Sequence, residues 1–266
     1  MSAFGILRRE IKAYFLNESI YKQQLVGWIV ADTVKITALI FVWMNVAQTR
    51  VDIDTSYVAS YYVLVMLIQK ITSDFTIENG VREMINGKFS NLIIKPFNYL
   101  IEYAGRDLGN NILRFMLFIP IFIIGVFILS ANNLWIYEFN FLRFIFFVFS
   151  LIIAFIINFL LGNIFSLPAL RIKEMDGIRI FYYNTASMLS GEFIPIVFLP
   201  SFGQYILKIL PFRYTLSFPA EILLGEVDMI GGLHGFVIGI VWVGILYLVY
   251  KVTFSHFIRY YEAEGI

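Results

Sequence analysis

Long apolar segments alternate with short polar ones along almost the whole chain. Six segments approach the roughly 20 residues that a helix needs to cross a membrane, and they cover residues 25–47, 57–77, 108–129, 142–167, 178–199 and 233–254. The pattern predicts an all-α integral membrane protein with six transmembrane helices and a single transmembrane domain over residues 1–266. An even number of spans places both termini on the same side of the membrane.

Residues 1–24, before the first span, are amphipathic. Charged residues stand largely between apolar residues that recur at helical spacing, namely Phe4, Leu7, Ile11, Tyr14 and Phe15. This pattern predicts an N-terminal amphipathic helix that lies in the membrane interface. A solvated helix that packs its apolar stripe on the protein fits the same pattern.

Lys and Arg residues are distributed unevenly around the predicted spans. Thirteen of them flank the spans on the side of the termini, and three lie on the opposite side. Loops rich in Lys and Arg are retained in the cytoplasm. The sequence therefore predicts that both termini are cytoplasmic.

The composition agrees with a membrane protein. Of the 266 residues, 59% are hydrophobic and 15% are charged, whereas about 25% of the residues of a soluble domain are charged. The net charge of +1 indicates no nucleic-acid partner, and the absence of cysteine excludes disulfides and thiolate metal sites. The abundant aromatic residues fit lipid-facing surface and interfacial belts better than a stacking surface.

The segment of residues 78–98, between the second and third spans, is polar and basic. From Arg82 to Ile94 its apolar residues fall close to one helical stripe, and Pro96 favours a helix stop just before it. The pattern predicts a short cytoplasmic helix. That helix either docks in a groove of a soluble partner or caps the surface of the membrane domain.

The chain between the fifth and sixth spans is interrupted by prolines and glycines. Each of the prolines removes a backbone donor and disfavours a continuous helix; they are Pro195, Pro200, Pro211 and Pro219. Residues 200–226 are therefore too broken to span the membrane. They are predicted to form a re-entrant outer segment, with the irregular backbone buried in protein or facing water.

Several charged residues fall inside predicted spans. Asp32 and Lys35 lie one helical turn apart in the first span, and Glu192 lies near the outer end of the fifth. A charge at the centre of a membrane costs roughly 2.5–3.5 kcal/mol, so Asp32 and Lys35 are expected to pair with each other, to reach an interface or to face a wet cavity. A predicted polar row on the second span comprises Lys70, Asp74 and Glu78.

The sequence predicts no catalytic, cofactor or metal site in this chain. A phosphate-binding loop ends in Gly-Lys-Ser/Thr, but Gly87-Lys88 is followed by Phe89 and lacks the upstream glycine. The two histidines, His234 and His256, lie at opposite ends of the last predicted span. An intramembrane aspartyl protease would need a pair of Asp residues on adjoining spans, which is not evident.

Two blocks of the sequence resemble the permease subunits of the ABC-2 family of ATP-driven transporters, in particular the compact six-span subunits that are often encoded in pairs. The first block contains Gly87, Leu92 and Lys95-Pro96. The second block, residues 191–225, contains Gly, Pro, Leu-Pro-Phe and Pro-Ala at similar positions. The layout of most of the chain is also similar.

The resemblance implies that the chain forms the substrate path of an exporter in the plasma membrane. Its partners would be separately encoded ATP-binding cassette ATPase subunits, a second permease chain that is identical or paralogous, and membrane lipid. ATP and Mg would bind to the ATPase subunits, with no cofactor in this chain.

The resemblance also implies which residues contact the ATPase subunit. These are Glu83, Gly87, Lys88, Lys95 and Pro96. Asp32, Lys35 and Glu192 are candidates for the translocation path or for contacts between subunits. An apolar path lined by Phe and Tyr fits drugs, peptides, lipids or glycans as substrates.

The alternative function is a stand-alone secondary transporter or channel. Such a protein would hold coupling ions at helices that break near the centre of the membrane. The breaks predicted from this sequence lie towards the outside instead.

Overall fold

The computed structural model describes residues 3–20, 22–50, 53–137 and 139–261, and the described residues form helices joined by short connections. In chain order the α-helices are α1 (Ala3–Ile20), α2 (Lys22–Gln48), α3 (Thr55–Thr72), α4 (Thr76–Ile85), α5 (Ser90–Ile93), α6 (Tyr99–Ala131), α7 (Phe141–Ser166), α8 (Asp176–Leu189), α9 (Ser201–Ile209), α10 (Ser217–Leu224) and α11 (Met229–Phe257). Short 3-10 helices cover Leu167–Leu170, Ile196–Phe198, Pro211–Thr215 and Ile258–Tyr260. No strand occurs within these ranges, which confirms the all-α prediction.

Asp and Asn side chains begin four of the longer helices. Asp54 at α3 and Asn98 at α6 each accept a hydrogen bond from the backbone N–H two residues later. Asn140 at α7 and Asp228 at α11 accept from backbone N–H groups in the first turn in the same way. The first N–H groups of a helix have no partner within it, so these caps fix where the helices begin.

Four helices of the described chain are long and apolar enough to cross a membrane. They cover Gln23–Gln48, Tyr99–Ala131, Phe141–Leu170 and Met229–Tyr260. These helices match the first, third, fourth and sixth predicted spans. The chain is therefore a multi-pass membrane protein.

The second predicted span, residues 57–77, is wrong as a continuous helix. α3 ends at Thr72, and α4 begins after residues 73–75, so the predicted polar row on this span does not share one helix face. α3 packs among α2, α6, α7 and α10, and most of its residues are buried. Two of its tyrosines bond to the protein: Tyr61 and Tyr62 donate hydrogen bonds to the carbonyl oxygens of Gly191 and Phe193.

The fifth predicted span, residues 178–199, is also wrong as one helix. α8 has 14 residues, a length of about 21 Å at 1.5 Å per residue, whereas a membrane core is about 30 Å thick. The helix stops before Gly191, whose φ of +88° suits glycine. A Cβ atom at Gly191 would lie 2.5 Å from the Tyr61 hydroxyl, so the chain turns where it touches α3.

The prolines of residues 200–226 break this segment into short helices, as the sequence predicts. α9 is followed by the 3-10 helix Pro211–Thr215 and by α10, every residue of which is buried. α10 packs on α3 and α7. Arg213 and Glu221 form an ion pair inside this segment, so its charges are compensated where it is buried.

The N-terminal helix α1 packs along α6 across two glycines. A Cβ atom at Gly109 would lie 2.7 Å from the Ile11 carbonyl oxygen, and one at Gly105 would lie 2.6 Å from the Glu10 Cβ. Only glycine permits two backbones to approach so closely. The amphipathic helix thus packs on the protein. It ends at Ile20, short of the predicted range 1–24, and residues 22–24 belong to α2.

We expect Gly235→Ala in α11 to lower the free energy of unfolding by about 1–3 kcal/mol, the usual cost of overpacking a core. A Cβ atom at Gly235 would overlap the Phe218 ring. Gly244→Ala is the control on the same helix, because nothing lies within 4 Å of its Cβ position, and alanine favours a helix over glycine by about 1 kcal/mol. Thermal unfolding in detergent measures both variants, and equal midpoints for the two would contradict the packing.

We expect Gly109→Ala to loosen α1 from α6. Hydrogen exchange followed by mass spectrometry should show faster exchange across residues 3–20 in this variant than in the wild type. Gly125→Ala on the same helix is the control, because its Cβ position is 4.0 Å from the nearest atom, Val63 Cγ2. Unchanged exchange in Gly109→Ala would show that α1 is held elsewhere.

Candidate functional site

The connector between α3 and α6, residues 73–98, contains α4 and α5. α4 buries Ile77, Val81 and Met84 against the bundle. The single helix predicted from Arg82 to Ile94 is wrong, because the chain breaks at Gly87, which has a φ of +71°. Phe89 and Leu92, which follow the turn, are also buried. The apolar periodicity of the sequence therefore continues through the turn.

A cluster of charges fastens the connector to α6. Arg106 of α6 bonds to Glu83 at 2.6 Å and to Glu102 at 2.6 Å. Tyr103 donates a hydrogen bond to Glu83 at 3.0 Å, and Lys95 bonds to Glu102 at 2.5 Å. We call these five residues the clamp. Two predicted ATPase contacts, Glu83 and Lys95, therefore hold the connector to its own bundle.

α1 closes the clamp on one side. The Arg106 guanidinium lies 5.0 Å from the centre of the Tyr14 ring, a distance at which a cation is attracted to an aromatic face. Burial raises the pKa of Tyr14 to about 12, although the Arg106 charge opposes the shift. The Tyr14 hydroxyl is therefore protonated at neutral pH.

The other predicted contact residues are placed differently. Lys88 and Pro96 are exposed, and Gly87 forms the turn. Ile93 and Ile94, next to them, are also exposed, Ile94 to 80%. The exposed side of the connector thus combines apolar side chains with Lys88, which forms no ion pair among the described residues.

A groove of about 440 Å³ separates α4 from the start of α8. Arg179 crosses it, bonding to Glu78 of α4 at 3.2 Å and to Asp176 at 2.8 Å. Its rim also carries Arg82 and Lys173. Residues 173–179 were not predicted to belong to this site, although they form a charged run at the start of the fifth predicted span.

The break at the start of the connector is held by amide side chains. Asn111 of α6 donates hydrogen bonds to the carbonyl oxygens of Ile71 and Ser73, at 3.1 and 2.8 Å. Asn158 of α7 donates to the Thr72 carbonyl oxygen at 2.9 Å. The last carbonyl groups of a helix have no hydrogen-bond partner within the helix. The two amide side chains supply these missing partners.

Asp74 lies in this break, and its carboxylate oxygens are buried against α7. Gly162 of α7 leaves room for the Asp74 carboxylate, because a Cβ atom at that position would overlap it. Asp107 of α6 lies beside the same break and accepts a hydrogen bond from the Phe75 N–H at 3.3 Å. The break is therefore packed with polar groups from two neighbouring helices.

The charged residues predicted inside the first span do not pair with each other. Asp32 pairs with Lys70 of α3, and Lys35 pairs with Glu192, which follows α8. Lys35 lies at the middle of α2, and its side chain is 41% exposed. The side chain of Asp32 is 32% exposed. Both pairs border a cavity of about 230 Å³ between α2, α3 and α8, which fits the predicted cavity-facing position.

The family model described as "ABC-2 family transporter protein" matches residues 23–265. No match was found among curated proteins or among solved structures. Because the matched region covers nearly the whole chain and four of its helices are suited to crossing a membrane, the chain belongs to the ABC-2 transporter family, whose members are transmembrane permeases.

Proposed function

We propose that this chain is the permease subunit of an ATP-driven exporter and that its connector docks on a separately encoded ATP-binding cassette subunit. Family membership supports the permease role. The sequence lacks the glycine-rich loop that cradles ATP phosphates. ATP and Mg are therefore assigned to the partner subunit.

The clamp is the observation that carries the docking proposal. A partner that moves the connector also moves α6, because Arg106 and Glu102 tie the two together. The exposed surface beside the clamp offers Lys88 and Arg82 for acidic groups and Ile94 for an apolar pocket. Closure of the ATPase subunits on ATP would thus tilt α6 and open the path outward.

We further propose that α3 and α8 complete six membrane crossings. α8 would be continued to the outer surface by residues 190–199, with residues 200–226 as the re-entrant segment. The burial of α10 within the bundle supports that arrangement. The excess of Lys and Arg on one side supports cytoplasmic termini. The plasma membrane is the location proposed for an exporter.

A second permease chain is proposed to cover α2. The face of α2 that carries Asp32 and Lys35 is partly open, and charges at the middle of a spanning helix are costly against lipid. A second chain, identical or paralogous, would shield these charges and enclose the path between the two subunits.

We expect Lys88→Glu to weaken binding of the ATPase subunit by at least roughly tenfold, because a reversed charge at an interface sets like charges against each other. Lys88 suits this test better than Gly87 or Lys95, since the former needs a positive φ and the latter belongs to the clamp. Lys208→Glu in α9 is the matched control, since it is also exposed.

The measurement is purification of the tagged chain from its native cells, followed by quantification of the bound ATPase subunit and its ATP hydrolysis. Loss of the bound ATPase subunit in Lys88→Glu but not in Lys208→Glu supports docking on the connector. Equal recovery of the ATPase subunit with both variants would refute this docking. Recovery of no ATPase subunit with the wild type would overturn the permease function itself.

We expect a second permease chain within reach of Val34 on α2, a residue that is 65% exposed. The chain contains no cysteine, so Val34→Cys can be labelled at one position with benzophenone maleimide and photo-crosslinked in membranes. Val237→Cys on α11, 60% exposed, is the control. Mass spectrometry of the adduct distinguishes an identical from a paralogous chain, and lipid adducts alone at position 34 would contradict the interface.

A further inference from the structure

The end of the described chain returns to the connector. Tyr261, which follows the 3-10 helix Ile258–Tyr260, accepts a hydrogen bond from the Ser90 backbone N–H at 3.1 Å. Its ring meets the Phe89 ring edge to face, with the ring centres 5.7 Å apart. Phe89 is fully buried. The end of the described chain therefore helps to bury the connector just after its turn at Gly87.

The ring of Tyr261 contributes more to this attachment than its hydroxyl group. The Ser90 N–H also reaches the Gly87 carbonyl oxygen at 3.3 Å, so it keeps a partner when the Tyr261 hydroxyl is absent. Phe89 packs between the Tyr261 ring and the Tyr99 ring, whose centre is 5.0 Å away. Edge-to-face pairs stabilise a structure beyond the area that they bury. Loss of the Tyr261 ring would remove one of these two pairs.

The same rings join the connector to α11. Tyr99 of α6 accepts a hydrogen bond from the Tyr250 hydroxyl of α11 at 2.6 Å. The Tyr99 ring also lies 5.5 Å from the ring of Phe254 of α11, measured between centres. We call Phe89, Tyr99, Tyr250, Phe254 and Tyr261 the aromatic cluster. It holds the connector to α11, whereas the clamp holds it to α6.

The C-terminal segment, residues 258–261, is itself held from a second side. The Arg171 guanidinium lies 4.6 Å from the centre of the Tyr260 ring, a distance at which a cation is attracted to an aromatic face. Arg171 follows the 3-10 helix Leu167–Leu170, which packs on α11. The contact with Arg171 thus fixes the place of the C-terminal segment beside the connector.

The aromatic cluster gives the connector a second attachment to the bundle. The clamp holds the connector to α6 at Glu83 and Lys95. Phe89 lies between these two points in the chain and packs in the aromatic cluster. Because close-packed side chains transmit displacement, movement of the connector acts on α11 as well as on α6. α11 packs along α7, so the displacement extends to that helix too.

We propose that Tyr261 is a positioning residue that holds the turn of the connector, and that the C-terminal segment couples movement of the connector to α11. This inference rests on the proposed permease function, because it names how the docking element passes on the movement of the ATPase subunit. Tyr261 acts through Phe89 and Ser90 and is assigned no contact with the ATPase subunit.

The first test is hydrogen exchange of the chain in phosphatidylcholine nanodiscs, followed by mass spectrometry. Tyr261→Ala removes the ring and the hydroxyl, and exchange in residues 86–94 should become roughly two- to tenfold faster. Tyr261→Phe keeps the ring and should exchange almost like the wild type. Tyr205→Ala in α9 is the control, because Tyr205 is 65% exposed and forms no ring contact among the described residues.

The second test uses the ATPase subunit that co-purifies with the tagged chain from its native cells. A positioning role predicts that Tyr261→Ala recovers as much ATPase subunit as the wild type, while ATP hydrolysis per bound subunit falls at least roughly twofold, as the loss of one aromatic contact requires. Tyr261→Phe should restore hydrolysis. A merely structural role would lower binding and hydrolysis together.

Three results would overturn the proposal. Equal exchange of the wild type and folded Tyr261→Ala would show that the connector is held without the ring. Reduced recovery of the ATPase subunit with Tyr261→Ala would make Tyr261 a docking residue, and unchanged hydrolysis per bound subunit would exclude the coupling. If Tyr261→Ala does not fold, Tyr261→Leu, which keeps an apolar side chain in place of the ring, serves in the same comparisons.

The two tests separate this inference from the proposed exporter function. Exchange is measured on this chain alone and needs no ATPase subunit. A wild type that recovers no ATPase subunit would refute the exporter function and with it the coupling, whereas the exchange still decides whether Tyr261 holds the connector. A wild type that recovers an active ATPase subunit, with unchanged exchange and hydrolysis in Tyr261→Ala, would refute only the positioning role.

Discussion

A helix that breaks inside a membrane bundle must have its freed backbone groups satisfied by protein, because hydrocarbon offers no hydrogen bonds. The break after α3 meets this constraint through Asn111 and Asn158, which bind the last carbonyl oxygens of that helix. The two side chains come from α6 and α7. The break therefore forms only where these helices lie beside α3, and the bundle fixes where the connector begins.

The end of the connector is fixed to the same helix as its beginning. Lys95 bonds to Glu102, one turn from Arg106, which also holds Glu83. α1 lies against the same part of α6 because Gly105 and Gly109 let the backbones meet. The connector, α1 and the first turns of α6 thus form one unit, and a force on the connector acts on α6.

Hydropathy along the sequence predicts the long helices. Features that depend on contacts between helices cannot be predicted from the sequence pattern. The four long apolar helices were predicted because their composition reflects a lipid environment. The end of α3 at Thr72 depends on Asn158, a distant residue, and no local pattern marks it. The stripe from Arg82 to Ile94 continues across the turn at Gly87, so periodicity alone predicted one helix there. The proposed roles of the contact residues stay predictions.

The short length of α8 accounts for the cavity. Because the helix ends at Leu189, the chain turns beside the middle of α2, and Glu192 reaches Lys35 there. The same turn places the Ser190 hydroxyl at the cavity wall. A continuous helix would satisfy its own backbone and place Glu192 about 200° around its axis from Ser190, on nearly the opposite face. Irregular backbone within a membrane is tolerated where it lines a polar cavity, so the helix break and the polar cavity depend on one another.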